Sequence, residues 1–205
     1  MKLLLFGGTF DPPHMGHMNN LRAAMAAVQP DRVVVMPAGI PPHKQASATP
    51  GAVRLAMCQC FAALDPRVEV SGWEIGRQGR SYTFHTLAML RDTHPGAELF
   101  LTVGSDMLES FSTWYRWRDI LALATLVVQS RSPGDEDALR RAAAPLEQAG
   151  GRIVFARAPA LECASSDSRA GKIPPERLRE LLPPPVPEII KTCGLYPNIQ
   201  GGNWQ

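Results

Sequence analysis

His14 and His17 stand three positions apart with Gly16 between them, at the end of the run Gly7-Gly8-Thr9-Phe10-Asp11-Pro12-Pro13-His14-Met15-Gly16-His17. Imidazole donates hydrogen bonds to phosphate oxygens and can carry positive charge where a transition state gains negative charge. Gly7 and Gly8 let backbone amides approach a ligand closely. A helix beginning near Met15 would turn its free N–H groups toward the same space, which favours an anion. Thr9 adds a hydroxyl at that mouth. The loop is neither a Gly-x-Gly-x-x-Gly turn nor a Walker loop. A glycine turn followed by a capped helix with surface histidines would use the same residues, and spacing alone leaves both readings open.

Such a loop needs a buried strand before it and a helix after it. Residues 2–6 read as that strand, and Met18, Leu21, Met25 and Val28 fall on one helical stripe after it. Further strands are expected at 32–36, 68–70, 98–103, 126–129 and 152–155. Helices are expected at 53–64, 84–91, 135–148 and 176–182. The alternation predicts an α/β fold, a doubly wound parallel sheet with helices on both faces, and a small C-terminal helical subregion over 163–196. Residues 1–205 are expected to form one domain, with a loose tail at 197–205. In such sheets ligands sit beyond the carboxyl ends of the strands. That directs attention to loops 7–17, 37–50, 104–117 and 163–169.

Composition narrows the function classes. The 205 residues carry a formal charge of +2, so no polybasic grip on nucleic acid is implied. The apolar run 2–6 is too short for a signal peptide, and the longest apolar stretch, 120–128, cannot span a bilayer. A cytoplasmic protein without a membrane partner is expected. Cys58, Cys60, Cys163 and Cys193 lack zinc-site spacing and read as structural thiols, and no metal-ligand cluster is expected.

Gly-Gly-Thr-Phe-Asp-Pro-Pro-His-x-Gly-His resembles the (H/T)-x-G-H signature of a nucleotidyltransferase superfamily. It is similar in particular to the form found in bacterial nicotinate-nucleotide adenylyltransferases, whose fold is Rossmann-like. The resemblance runs through most of the chain. Pro41-Pro42-His43-Lys44 resembles a substrate-side loop, and Ser81-Tyr82-Thr83 with Thr86-Leu87 resembles the segment that holds a pyridine ring and its carboxylate. Gly104-Ser105-Asp106 resembles a nucleotide-contacting turn, Trp114-Tyr115 the site of an aromatic that stacks on the pyridine, and Arg131 the arginine of an Arg-Pro-Gly turn. Arg54 and Met57 match the following helix, and Leu195-Tyr196 the usual ending. The second phosphate motif, roughly Ile-Ser-Ser-Thr-x-Ile-Arg, is altered here to Cys163-Ala164-Ser165-Ser166-Asp167-Ser168-Arg169, with Gly171, Pro174 and Pro175 interrupting the helix that would follow.

The resemblance implies that ATP and nicotinate mononucleotide are the substrates, with Mg2+ accompanying ATP. His17 would contact the α-phosphate and His14 the β-phosphate, while Ser165, Ser166 and Arg169 hold the β/γ end. Gly7, Gly8, Thr9, Phe10, Gly104 and Asp106 would complete the ATP site. Lys44, Tyr82, Thr83, Thr86, Trp114 and Arg131 would bind the mononucleotide. A related enzyme with another acceptor, or a non-catalytic nucleotide sensor, would share the phosphate loop and differ in the acceptor segments. His43, His85 and His94 read as surface or packing residues, and Glu74 and Arg77 as paired or solvated.

Overall fold

A computed structural model describes residues 1–42, 47–130, 134, 136–157, 161 and 163–196. Among these the chain forms strands β1 (Lys2–Gly8), β2 (Arg32–Pro37), β3 (Val68–Val70), β4 (Glu98–Gly104), β5 (Ala124–Ser130) and β6 (Ile153–Arg157). The helices are α1 (Met15–Val28), α2 (Gly51–Cys58), α3 (Thr83–Thr93), α4 (Ser105–Leu108), α5 (Trp117–Leu123), α6 (Glu136–Gln148), α7 (Ser165–Arg169), α8 (Pro175–Leu181) and α9 (Val186–Thr192).

The strands form one parallel sheet in the order β3-β2-β1-β4-β5-β6, the order of a doubly wound Rossmann-like fold. Its strand order reverses between β1 and β4, whose parallel ladder runs from Lys2–Glu98 to Leu5–Leu101. Leu3 to Phe6 are buried without alternation, as a strand covered on both faces requires. The expected stripe of α1 is buried too: Met18, Leu21, Met25 and Val28 all belong to the core.

Several boundaries differ from expectation for local reasons. The helix expected over 53–64 ends at Cys58 and continues as a 3-10 turn, Gln59–Ala63. The apolar stretch 120–128 is divided between the end of α5 and the start of β5. Helix α9 was not legible in the pattern because prolines surround its start. Proline is tolerated in the first turn, where its missing N–H costs no helical bond, and Pro187 sits there. The expected break after the second phosphate motif is present: α7 is five residues long, Gly171 has φ 68°, and α8 begins at Pro175.

Contacts divide the chain into two compact units, each assembled from separate segments. The first comprises Met1–Gly7, Asn19–Val34 and Ser81–Ala160. Here β4 and β5 carry the core, α3 packs against α5, and the Gln129 amide donates to the Asn20 carbonyl at 2.6 Å. His94 is a packing residue, its Nε2 lying 3.1 Å from Arg32 Nη1. The second unit comprises Gly8–Met18, Val35–Arg80 and Leu161–Gln205. In it α2 packs against α9, and β3 against the 3-10 turn. Gly51 begins α2 because a Cβ there would lie 2.9 Å from Ile75. Of the two residues expected to be paired or solvated, Glu74 is buried, while Arg77 is exposed and stacks over the Trp73 ring.

Candidate active site

The phosphate loop belongs to the second unit from Gly8 onward. Phe10 adopts φ 49°, in the left-handed region, and turns its ring back onto Gly8. A Cβ at Gly8 would lie 2.8 Å from that ring, so glycine is needed for close approach. Phe10 is almost fully buried, with its ring 5.2 Å from Phe61 and 5.1 Å from His17. It supports the loop from beneath.

The two histidines are brought together as expected. Their ring centroids are 3.7 Å apart with an interplanar angle of 30°. His14 is buried and His17 is half-buried at the start of α1. The backbone N–H of His14 donates to His17 Nδ1 at 3.2 Å. That bond requires a lone pair on Nδ1, so the proton of the neutral ring resides on Nε2, which becomes a fixed donor. Gly16 lies against the His14 ring. A Cβ there would stand 3.0 Å from Nδ1 and 3.1 Å from Cε1.

Behind the loop lies a polar network that the sequence reading did not identify. Asp11 is buried, and its carboxylate accepts hydrogen bonds from the hydroxyls of Ser47 and Tyr196, both at 2.5 Å. Arg54 is 2% exposed and donates to the carbonyls of Thr9, Ala38, Gly39 and Thr49. One buried guanidinium thus ties the phosphate loop to the loop after β2, a multidentate role that lysine could not fill. Burial lowers its pKa from the ordinary value, and the nearby Asp11 charge opposes that shift.

The altered second motif also reaches this loop. Ser165 donates to the Pro12 carbonyl at 2.9 Å, and Arg169 Nη1 donates to the Asp11 carbonyl. Ser166 is exposed. Ser168, in place of an isoleucine, is buried and donates to the Ala164 carbonyl at 3.2 Å, closing the short helix on itself.

The remaining expected residues lie in the first unit. Gly7 is exposed at the end of β1. Gly104 ends β4 and is the N-cap of α4; Asp106 is exposed in that helix's first turn and is not its cap. Neither Ser81 nor Thr83 occupies the N-cap position of α3. The N-cap residue is Tyr82, whose own side chain makes no cap hydrogen bond, and Thr83 is the first helical residue. Thr86 is fully buried, which places its side chain in the interior. Trp114 is half-buried, with its ring 4.9 Å from that of the buried Phe111.

A more exposed aromatic group gathers beside it. Tyr115, 48% exposed, lies 4.8 Å from Tyr82 and 5.7 Å from His85 between ring centroids. The Arg116 guanidinium stacks 3.9 Å over Phe84, and Arg116 itself has φ 56°. His85 is therefore part of a π-rich surface, a grouping that single-residue inspection missed. Lys44, His43 and Arg131 lie outside the described residues.

Cys58 and Cys60 are buried, and burial pushes both thiols up, Cys60 to about 12. Such thiols are inert at neutral pH. Among the described residues, no group of three or more His, Cys, Asp or Glu converges as a metal site, and no helix is long and apolar enough to cross a membrane.

The loop, the paired imidazoles and the sheet order all point to a nucleotidyltransferase, and comparison with known proteins bears this out. The cytidylyltransferase-like family matches residues 5–171. The probable nicotinate-nucleotide adenylyltransferase of Acidithiobacillus ferrooxidans is 37% identical, over 95% of this chain and 95% of its own length. The chain belongs to the nicotinate-nucleotide adenylyltransferase family. Another relative, the probable nicotinate-nucleotide adenylyltransferase of Laribacter hongkongensis, is 42% identical over 76% of this chain and 71% of its own. Plasmodium falciparum nicotinic acid mononucleotide adenylyltransferase complexed with NaAD shares the family fold. It has a TM-score of 0.75 at 13% identity, covering 96% of this chain and 97% of that one.

Proposed function

We propose that this chain transfers the adenylyl group of ATP to nicotinate mononucleotide, yielding nicotinate adenine dinucleotide and pyrophosphate in NAD biosynthesis in the cytoplasm. The observation that carries the reading is the His14–His17 pair at a glycine-rich strand end, with the Nε2 proton of His17 fixed by the loop backbone. Family membership supplies the substrates.

A phosphomonoester is mostly dianionic at neutral pH, so the mononucleotide phosphate needs no strong general base. Its oxygen attacks the α-phosphorus of ATP. A new P–O bond forms there, the α–β bridging P–O bond breaks, and its electron pair leaves on pyrophosphate. The protein's task is positioning and charge stabilisation. His17 Nε2–H serves the α-phosphate and His14 the β-phosphate. Arg169, Ser165 and Ser166 serve the β/γ end, with Gly7, Gly8 and Thr9 lining the cradle. Gly104 and Asp106 serve the nucleoside. When bound with ATP, Mg2+ would supply charge neutralisation for the triphosphate, with ATP oxygens and water, not a protein cage, expected as most of its ligands.

For the acceptor, Trp114 stacks on the pyridine, and Lys44, Tyr82, Thr83 and Arg131 complete its site, with Thr86, buried in the interior, left outside it. The α3 start carries no acidic residue in its first turn, and its N-cap residue Tyr82 makes no side-chain cap bond, which suits the nicotinate carboxylate. Acceptors incubated with ATP and magnesium, read by pyrophosphate release, test the reading. Nicotinate mononucleotide should be used best, and label from α-labelled ATP should appear only in dinucleotide. Label retained on denatured protein would refute direct displacement. Turnover with a phosphopantetheine-type or cytidylyl substrate alone would refute the assigned reaction.

A further inference from the structure

Tyr196 lies just past α9 and is buried. Its hydroxyl donates to Asp11 Oδ1 at 2.5 Å, and the Thr49 hydroxyl donates to the Tyr196 oxygen at 3.5 Å. The other Asp11 oxygen accepts from Ser47 at 2.5 Å. Arg169 reaches the same residue, donating to its backbone carbonyl with Nη1 3.9 Å from Oδ2. Four stretches of the second unit therefore meet at one buried carboxylate: the phosphate loop, the segment ending at Thr49, the second phosphate motif and the C-terminal tyrosine. Burial raises the Tyr196 pKa well above its ordinary value, so the phenol remains a donor throughout the working pH range.

The arrangement has an electrostatic consequence for Arg169. Each hydroxyl that donates to Asp11 lowers the negative potential that its carboxylate presents. With the Tyr196 hydroxyl removed, Oδ1 loses a charge-assisted bond, and Arg169 is the cation already beside it. The Arg169 side chain is 40% exposed, so part of it still faces solvent. Tightening of the 3.9 Å Arg169–Asp11 ion pair already present would draw the guanidinium away from the triphosphate.

We propose that Tyr196 is a positioning residue: by donating to Asp11 it holds the phosphate loop in place and keeps Arg169 available for the triphosphate of ATP. The inference rests on the phosphate role given to Arg169 in the adenylyl-transfer reading.

Tyr196→Phe removes only the hydroxyl. Calorimetric binding of magnesium-ATP should weaken about 10- to 100-fold, the range for a lost hydrogen bond to a charged group. KM for ATP should rise in parallel while the acceptor KM holds. In an Asp11→Asn background the same substitution should add little, because both act through one contact. Ser47→Ala, which strips the other hydroxyl from Asp11 without touching the C-terminal segment, should give the same split between substrates. It also decides the matter should Tyr196→Phe not fold. Wild-type ATP affinity in either folded variant overturns the proposal. So do equal losses for both substrates, or a full additional cost in Asp11→Asn. A wild-type protein that binds ATP but makes no dinucleotide defeats the functional reading, whereas the binding comparison still judges Tyr196.

Discussion

Gly16→Ala perturbs the site by a single methyl group. The added Cβ would stand 3.0 Å from His14 Nδ1 and 3.1 Å from Cε1, closer than ordinary van der Waals contact, so the ring must retreat by a few tenths of an ångström. His14 is buried, and its ring lies 3.7 Å from that of His17 between centroids, so a displacement of one imidazole disturbs the other. A misplacement of about 1 Å can cost roughly 10²-fold in rate. A shift of a few tenths should then lower kcat by about tenfold, within bounds of roughly 3- to 100-fold on the same scale. Global stability should change little. Alanine gains up to about 1 kcal/mol over glycine in a helix, and mild overpacking costs about 1–3 kcal/mol. The assay is steady-state pyrophosphate release alongside a thermal melt. In a His14→Ala background, where no ring stands in the way, Gly16→Ala should cost nothing further. A folded Gly16→Ala enzyme with wild-type kcat would refute the claim that glycine is required for the packing of the two rings.

His17→Ala should lower kcat by roughly 10²–10⁴, the range for a lost acid–base or oxyanion-type donor, with ATP binding less affected; near wild-type turnover would remove His17 from the mechanism. Trp114→Ala should raise KM for the mononucleotide far more than KM for ATP, by an amount worth about 1–3 kcal/mol of stacking; equal losses would assign the ring to its packing against Phe111. The acid should be preferred to the amide mononucleotide by at least roughly 10²-fold in kcat/KM, because an amide sets an NH₂ against the α3 N–H donors; equal values would show that no carboxylate site exists there. For the thiols, burial raises the Cys60 pKa to about 12, so its thiolate is scarce at neutral pH and becomes appreciable only as pH approaches that value. Folded protein titrated with a thiol reagent near pH 8 should therefore label exposed Cys193 and spare Cys58 and Cys60. Rapid labelling of all four would contradict the buried positions of that pair.

What the sequence disclosed, and what it withheld, follows from the range of the interactions involved. The strand before Gly7, the buried stripe of α1 and the doubly wound order rest on local periodicity, which the chain displays openly. The His14–His17 pair is equally local, since both rings lie within one helical turn of each other. Asp11 and Tyr196 are 185 positions apart, and nothing in the spacing of either announces a shared proton. Arg54 did leave a trace: with Met57, Cys58 and Phe61 it occupies one helical stripe, and all four are buried. A charged residue on an apolar stripe must find several acceptors when buried, and here they are four loop carbonyls. Ser168 shows the reverse case. Compared with the motif it looks like a defect, yet its hydroxyl is satisfied within α7, so the short helix keeps Ser165 and Arg169 on the phosphate loop without the isoleucine. A direct displacement needs no nucleophile from the protein, only donors held at fixed positions. The geometry of such a site therefore depends as much on Arg54 and Asp11, which hold the loop, as on the histidines it presents.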